Sequence, residues 1–332
     1  MRHRLIVTLA ASAAFLLTLV ASGVRRAEAQ SAAPEPSSTP VFNVDTTLVL
    51  IPTTVTDSSN RFVLGLQQKD FHLFEDGVEQ KITNFSGEDA PLSVGVVFDA
   101  SASMGEKLRI SREAALTFLK TMNPQDEAFL VQFSDQAELA AGITTHLEEI
   151  QNKLAAVRPG GLTAMLDASE MALREMKKAK NPRKAILIIS DGGDNNSKYS
   201  ASEIAKLVRE ADVQIYAMGV FEPDIFAGLS KEEISGPRLL KEIAEQTGGR
   251  VFAASDIHDL PSVATRIGVE LRNQYVLAYY PKNSEKDGKY RKVEVKVNVP
   301  AGISTIKIRA RSGYYATPSL HDATPSLNVV QQ

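Results

Sequence analysis

Three oxygen-bearing side chains stand at alternate positions in the first third of the chain: Asp99, Ser101 and Ser103. They follow an uncharged run, residues 94–98, that is short and rich in β-branched side chains, as in a buried strand. In an extended segment alternate side chains point the same way, so the three oxygens can converge on one point. A carboxylate and two hydroxyls, without an imidazole or thiolate beside them, suit a hard cation: Mg²⁺ first, then Mn²⁺, and Ca²⁺ less well.

The same residues are compatible with an ordinary strand-to-helix turn, in which Asp99 or a serine caps the helix. Two further segments favour the cation site. Thr163 follows Gly-Gly-Leu and directly precedes a helical pattern, and Asp191 follows a second buried strand at residues 185–190. If the strands are parallel, their carboxyl ends meet at one edge of the sheet, where ligands of such sheets bind.

In their order and in their positions at strand and helix boundaries, five side chains resemble the metal-ion-dependent adhesion site of the von Willebrand factor type A domain. They are Asp99, Ser101, Ser103, Thr163 and Asp191. The resemblance covers residues 91–272 and is to the type found in exported bacterial proteins. It implies that the two serines ligate the metal directly, that the threonine switches between direct and water-mediated contact, and that the aspartates act partly through water. It also implies a protein partner that offers a Glu or Asp side chain to the ion.

One further carboxylate, Asp194, lies close behind the third motif segment. It could tighten the binding of a cation, or it could cap the helix that begins at Ser200. The neighbouring Asn195 and Asn196 indicate a solvated loop, which favours the capping role.

The elements that must position these residues alternate between strands and helices over residues 91–272. This alternation predicts an α/β fold, a doubly wound and mostly parallel sheet covered by helices on both faces. The flanking segments, residues 41–88 and 273–315, show the period-two pattern of β-strands instead. We expect them to form one small β-sandwich into which the α/β domain is inserted.

The last predicted hairpin alternates apolar residues with Lys307, Arg309 and Arg311. Such a pattern requires polar residues on its outward positions, so we interpret the three basic side chains as a solvated face. Binding of an anionic partner to this face is the alternative.

Residues 1–29 have the features of a signal peptide: arginines near the start, an uncharged run over residues 5–24 and a small-residue cleavage site, Ala-Glu-Ala. The run is also long enough to span a bilayer, so an uncleaved membrane anchor is the alternative. Residues 30–40 are predicted to be a disordered spacer and residues 316–332 a disordered tail. The chain has no cysteine, which excludes a disulfide framework and a lipidated N-terminal cysteine.

The net charge of the chain is −3, and removal of residues 1–29, with four arginines and one glutamate, would leave about −6. An acidic exported chain without a basic stripe is a poor binder of nucleic acid. The sequence lacks His-Glu-x-x-His, Gly-x-Ser-x-Gly, a phosphate-binding Gly-rich loop and a cysteine nucleophile. We therefore predict a periplasmic, cell-envelope or extracellular binding module rather than an enzyme. A cell-envelope scaffold without metal-dependent binding and a metal-dependent hydrolase are the alternatives.

Overall fold

The computed structural model describes residues 48–87, 90–191, 193–220, 231–254, 256–299 and 305–316. All of them belong to one compact unit, Asp45–Gln332. The predicted signal peptide, the spacer at 30–40 and the tail beyond residue 316 lie outside the described residues. Within the described ranges, no helix is long and apolar enough to cross a membrane.

The described residues form strands and helices with the following bounds. The strands are β1 (Val49–Asp57), β2 (Phe71–Glu75), β3 (Val78–Gln80), β4 (Ile82–Ser86), β5 (Leu92–Asp99), β6 (Glu127–Phe133), β7 (Ala137–Thr144), β8 (Arg183–Ile189), β9 (Gln214–Val220), β10 (Val251–Ala254), β11 (Tyr275–Tyr279), β12 (Tyr290–Val297), β13 (Ile306–Ala310) and β14 (Gly313–Tyr315). The helices are α1 (Lys107–Leu119), α2 (Leu147–Ala156), α3 (Met165–Met176), α4 (Ala201–Glu210), α5 (Lys231–Gln246) and α6 (Leu260–Arg272).

The central sheet has six strands in the order β10-β9-β8-β5-β6-β7. All neighbours in it are parallel except β6 and β7, which form an antiparallel hairpin at one edge. β5 lies in the middle and every one of its residues is buried. Successive residues of this strand pack into two different hydrophobic cores, one on each face of the sheet. Val96 packs with α1 and α6, and Val97 packs with α3 on the opposite face. The predicted doubly wound sheet is confirmed, and its burial on both faces explains why the strand is apolar throughout.

The two flanking segments combine in two antiparallel sheets, with strand orders β13-β1-β11-β4 and β14-β12-β2-β3. Each sheet contains strands from both ends of the chain, and the two sheets share one core that includes Ile51, Leu73, Leu277 and Tyr279. This confirms that the N-terminal and C-terminal segments form one small β-sandwich. The boundaries assigned to the domains, at 41–88, 91–272 and 273–315, remain predictions.

The interpretation of the basic residues in the last hairpin as a solvated face is wrong for two of the three. Arg309 Nε lies 3.5 Å from the buried carboxylate of Glu270 on α6, and Arg311 Nη1 lies 2.5 Å from Asp212. Lys307 is exposed, as expected. The alternation shows which residues of β13 point away from the sandwich core, but the α/β domain covers part of that outward face.

Candidate metal centre

Four of the five predicted ligands lie at or just beyond the carboxyl ends of strands β5 and β8, and Thr163 lies in the loop between α2 and α3, just ahead of α3. Asp99 is the last residue of β5, and its side chain is fully buried. Asp191 lies two residues beyond the end of the neighbouring strand β8. Because β5 and β8 are parallel and Phe98 is in register with Ile189, both aspartates lie at the same edge of the sheet.

The first motif forms a compact turn around the carboxylate of Asp99. The backbone N–H of Ser101 donates to Asp99 Oδ1 at 2.8 Å, and the hydroxyl oxygens of Ser101 and Ser103 lie 2.9 Å apart. Helix α1 begins at Lys107, and its N-cap residue Glu106 makes no side-chain capping bond. Neither Asp99 nor the serines therefore cap the helix, and the two hydroxyls and the carboxylate are grouped on one turn.

Backbone hydrogen bonds tie this turn to the loop that carries Thr163. The N–H of Ala102 donates to the carbonyl of Gly161 at 3.1 Å, and the N–H of Gly160 donates to the carbonyl of Ala100 at 2.9 Å. Gly161 has a φ of +76°, and a Cβ atom there would come within 2.5 Å of the carboxylate of Asp135. Glycine is thus required at this position for both conformation and space.

The loop that follows Asp191 is joined to the same place. Asn195 Oδ1 accepts from the N–H of Thr163 at 2.8 Å, and the N–H of Asn195 donates back to the carbonyl of Thr163 at 3.0 Å. Three segments that are distant in sequence are thereby held together. Among the described residues, side-chain hydrogen bonds join Asp99, Ser101 and Ser103 to one another but do not join Thr163 or Asp191 to these three.

Asp194 has a capping role, but the helix is not the one expected from the sequence. Its Oδ2 accepts from the N–H of Leu166 in the first turn of α3 at 2.8 Å, and the hydroxyl of Ser197 donates to the same oxygen at 2.6 Å. The helix at Ser200 has a capping box of its own, which Ser200 and Glu203 complete. The carboxylate of Asp194 is therefore used to hold the start of α3.

The electrostatics of the site are dominated by the burial of Asp99. The pKa of Asp99 is raised to about 6, mainly by burial; hydrogen bonds from Ser101 and Ser190 lower this pKa, and the nearby carboxylate of Asp191 adds a smaller increase. The hydroxyl of Ser190 donates to Asp99 Oδ2 at 2.6 Å. Lys107 Nζ lies 3.2 Å from Asp191 Oδ2. A buried carboxylate beside a second carboxylate favours a cation between them.

Two residues of this site, Ser190 and Lys107, were not predicted from the sequence. Ser190 directly precedes Asp191, and the register of β5 with β8 would have placed it opposite Asp99. Lys107 occupies the first position of α1, where nothing in the sequence signals contact with Asp191.

The composition of the site fits a hard divalent cation. All five predicted ligands offer oxygen, two as carboxylates and three as hydroxyls, and Mg²⁺ prefers such ligands. Within the described ranges, no group of three or more His, Cys, Asp or Glu side chains could hold a metal ion. The candidate centre is a different kind of site, because it depends on hydroxyls and on only two carboxylates.

Comparison with known proteins places this fold in a family. The family model of the von Willebrand factor type A domain matches residues 93–266, just over half of the chain. Among curated proteins, an uncharacterized protein of Borreliella burgdorferi is 25% identical over 188 residues, which is 50% of this chain and 55% of that protein. The inter-alpha-trypsin inhibitor heavy chain H4 of Sus scrofa is 29% identical over 171 residues, 47% of this chain and 19% of that protein. The match thus spans about half the length of the first relative and a fifth of the second.

Solved structures show likeness at low sequence identity. The von Willebrand factor type A protein from Catenulispora acidiphila aligns with a TM-score of 0.48 and 12% sequence identity. The alignment covers 82% of this chain and 75% of that protein. The conserved hypothetical protein BatB from Bacteroides thetaiotaomicron aligns with a TM-score of 0.44 and 20% sequence identity. The alignment covers 54% of this chain and 97% of that protein. On the strength of the family match over residues 93–266, the chain belongs to the von Willebrand factor type A domain family.

Proposed function

We propose that this protein is an exported, divalent-metal-dependent protein-binding module that serves in adhesion or complex assembly and is not an enzyme. Domains of its family are typically interaction modules, often with a bound metal. The proposed metal ligands are Asp99, Ser101, Ser103, Thr163 and Asp191, and the proposed ion is Mg²⁺ or Mn²⁺.

The grouping of the serine hydroxyls, 2.9 Å apart, beside the buried carboxylate of Asp99 is the observation that carries this proposal. Buried carboxylates are costly unless a cation or hydrogen bonds compensate them, and here Asp191 adds to the cost. Backbone hydrogen bonds between the three loops hold the ligand-bearing segments together. The chain itself therefore orients the oxygens and supplies negative charge.

A divalent ion at this place would supply an electrophilic centre with exchangeable water positions, one of which a partner carboxylate can take. Three of the five proposed ligands are neutral hydroxyls, which contribute no charge, so this set leaves more positive charge on the ion than a cage of carboxylates would. This favours capture of a Glu or Asp side chain from a protein partner. The residues in the site offer no positioned general base of the kind a metal hydrolase requires.

Export is part of the proposal and is supported by the signal-peptide features of residues 1–29. Contact with a membrane is expected only if that segment stays uncleaved. The acidic net charge argues against a nucleic-acid partner. A scaffold without metal-dependent binding is the competing proposal, and a metal titration separates the two.

Ser101→Ala tests the site, since it removes one proposed direct ligand and keeps the backbone N–H that Asp99 needs. We expect Mg²⁺ to bind at least about tenfold more weakly to this variant, because a methyl group cannot replace an oxygen ligand. The measurement is calorimetric titration of Mg²⁺ into the full chain. Ser262→Ala, at an exposed serine of α6, is the control and should bind as the wild type does. Equal affinities for wild type and Ser101→Ala would exclude this site.

Lys107→Met should have the opposite effect on the metal. The ammonium group of Lys107 lies 3.2 Å from Asp191 and both repels a cation and competes for the carboxylate. Both side chains are partly exposed, so we expect a gain of only about two- to fivefold in Mg²⁺ affinity. The same titration measures it, with Lys120→Met at the exposed end of α1 as the matched variant. An affinity at or below that of the wild type would show that Lys107 does not oppose the ion.

A further inference from the structure

A polar groove lies directly beside the proposed metal centre, at the same edge of the central sheet. Its volume is about 330 Å³, within the range of sites that hold ligands. The walls are formed by the end of β6, the start of β7, the last turn of α2 and the segment after it. The polar and charged residues of the lining are Gln132, Ser134, Gln136, Glu138, Lys153 and Arg158.

The groove is continuous with the loops of the metal centre. Ala100, which stands between two proposed ligands, lines it. The N–H of Ala100 donates to the carbonyl of Phe133 at the end of β6, and its carbonyl accepts from the N–H of Gly160. Ser134 also lines the groove, and its carbonyl accepts from the N–H of Ala164 next to Thr163. A segment of a partner protein that approaches the proposed metal ligands from this side therefore passes over the groove.

The charges in the groove are not balanced. Glu138 accepts a hydrogen bond from Gln132 at 2.8 Å, whereas Lys153 and Arg158 have no carboxylate within ion-pair distance in the part of the chain that the structure describes. Arg158 Nη1 instead donates to the carbonyl of Val157 at 3.3 Å, at the end of α2. Both cations are exposed. The lining thus carries two cations against one carboxylate, on a chain whose net charge is negative.

We infer that this groove selects the partner: the segment that offers its carboxylate to the metal carries a second acidic side chain, which Lys153 and Arg158 bind. Complementary charges at the rim of an interface favour one partner over others and raise the rate of encounter. An extended acidic protein segment suits the groove, because Ala100, which stands between the proposed ligands Asp99 and Ser101, lines it, and one segment can therefore reach both the groove and the ion. The inference rests on the proposed function, since it specifies the partner of that same site.

The test uses short random peptides displayed on phage, each with one fixed glutamate, that are bound to the full chain in Mg²⁺ and eluted with EDTA. The variant is the double charge reversal Lys153→Glu with Arg158→Glu. The matched control is Lys120→Glu with Lys206→Glu, at two exposed lysines without an ion pair in the described part of the chain, which changes the net charge equally. Thermal unfolding in EDTA and calorimetric titration of Mg²⁺ verify that all three proteins fold and bind the ion alike.

We expect the wild type and the control to enrich Asp or Glu at positions near the fixed glutamate, and the double reversal to lose this preference or exchange it for Lys or Arg. In a synthetic peptide, replacing the enriched acidic residue by its amide should weaken wild-type binding about two- to fivefold, as for an exposed ion pair, and leave the variant unaffected.

Mg²⁺-dependent peptides whose flanking residues are the same in wild type and variant would overturn the role of the groove and leave the metal centre in place. The absence of any peptide that depends on Mg²⁺, together with no heat of Mg²⁺ binding, would overturn the proposed function and this inference with it.

Discussion

Replacing Asp99 by Asn is expected to abolish binding of a divalent cation and, at the same time, to make the metal-free protein more stable. Burial raises the pKa of Asp99 to about 6 in the folded protein, with Asp191 as a further cause. Near pH 7 the carboxylate is ionised in both folded and unfolded chains, and its buried location then destabilises the folded one. A shift from 3.8 to about 6 corresponds to about 3 kcal/mol, so we expect a gain of about 1–3 kcal/mol for Asn.

Asparagine suits this position because it keeps most of the local hydrogen bonds. Its side-chain oxygen can accept from the N–H of Ser101, as Asp99 Oδ1 does, and its amide can donate to the hydroxyl of Ser190. The loop geometry is therefore retained while the charge is lost. The ion loses a proposed ligand and half of the negative charge of the two aspartates.

The stability gain should depend on pH in a defined direction. Because the pKa of Asp99 is higher in the folded than in the unfolded chain, the folded state binds the proton more tightly. The stability that this proton contributes is fully present below pH 3.8 and is lost as the pH rises through about 6. The advantage of Asp99→Asn over wild type should thus be largest above pH 6 and shrink toward pH 4.

Urea unfolding in EDTA near pH 7 and near pH 5 measures the stability difference, and calorimetry measures Mg²⁺ binding. Asp194→Asn is the matched control, because that carboxylate lies close in sequence but caps α3. It should bind Mg²⁺ as the wild type does and gain no stability. Full Mg²⁺ affinity in Asp99→Asn, or a metal-free variant less stable than wild type, would contradict the assignment.

The edge of the central sheet at which the candidate ligands lie could be predicted from the sequence, because its determinants are local; that these residues bind a metal stays a prediction. The alternation of strands and helices fixes which strand ends lie together, and the motif residues stand at those ends. The contributions of Ser190 and Lys107 could not be predicted in the same way. They depend on the register of β5 with β8 and on the position of the first turn of α1 relative to the sheet.

Properties that depend on contact between distant parts of the chain were harder to predict. Pro52 suggests an edge strand or a bulge, yet β1 lies between β11 and β13. The proline is tolerated because β13 pairs with β1 only from Thr53 onward, so that one side of the strand is free of ladder bonds at Pro52. Arg309 and Arg311 were assigned to solvent because period-two alternation carries no information on which domain covers the outward face.

The buried contact of Arg309 leads to the second prediction. The carboxylate of Glu270 is fully buried at the junction of the α/β domain with the sandwich, and it meets Arg250, Arg309 and the hydroxyl of Tyr216. Gln274 donates both to Tyr216 and to Thr54 on β1, so the polar contacts continue into the sandwich. Glu270→Gln would leave two largely buried guanidinium groups without their counter-charge. We expect a loss of about 3 kcal/mol in the free energy of unfolding.

The Glu270→Gln substitution should lower stability without changing the affinity of the proposed metal centre for Mg²⁺. Arg183, the first residue of β8, donates to the carbonyl of Leu271, so the polar network lies at the amino edge of the sheet, opposite Asp191. Urea unfolding in EDTA should show the lower stability, and calorimetry on the folded variant should give the wild-type Mg²⁺ affinity. Glu245→Gln, which breaks an exposed pair with Lys241, should change stability by less than about 0.5 kcal/mol. A comparably small change for Glu270→Gln would mean that the buried ion pairs do not hold the sandwich to the α/β domain.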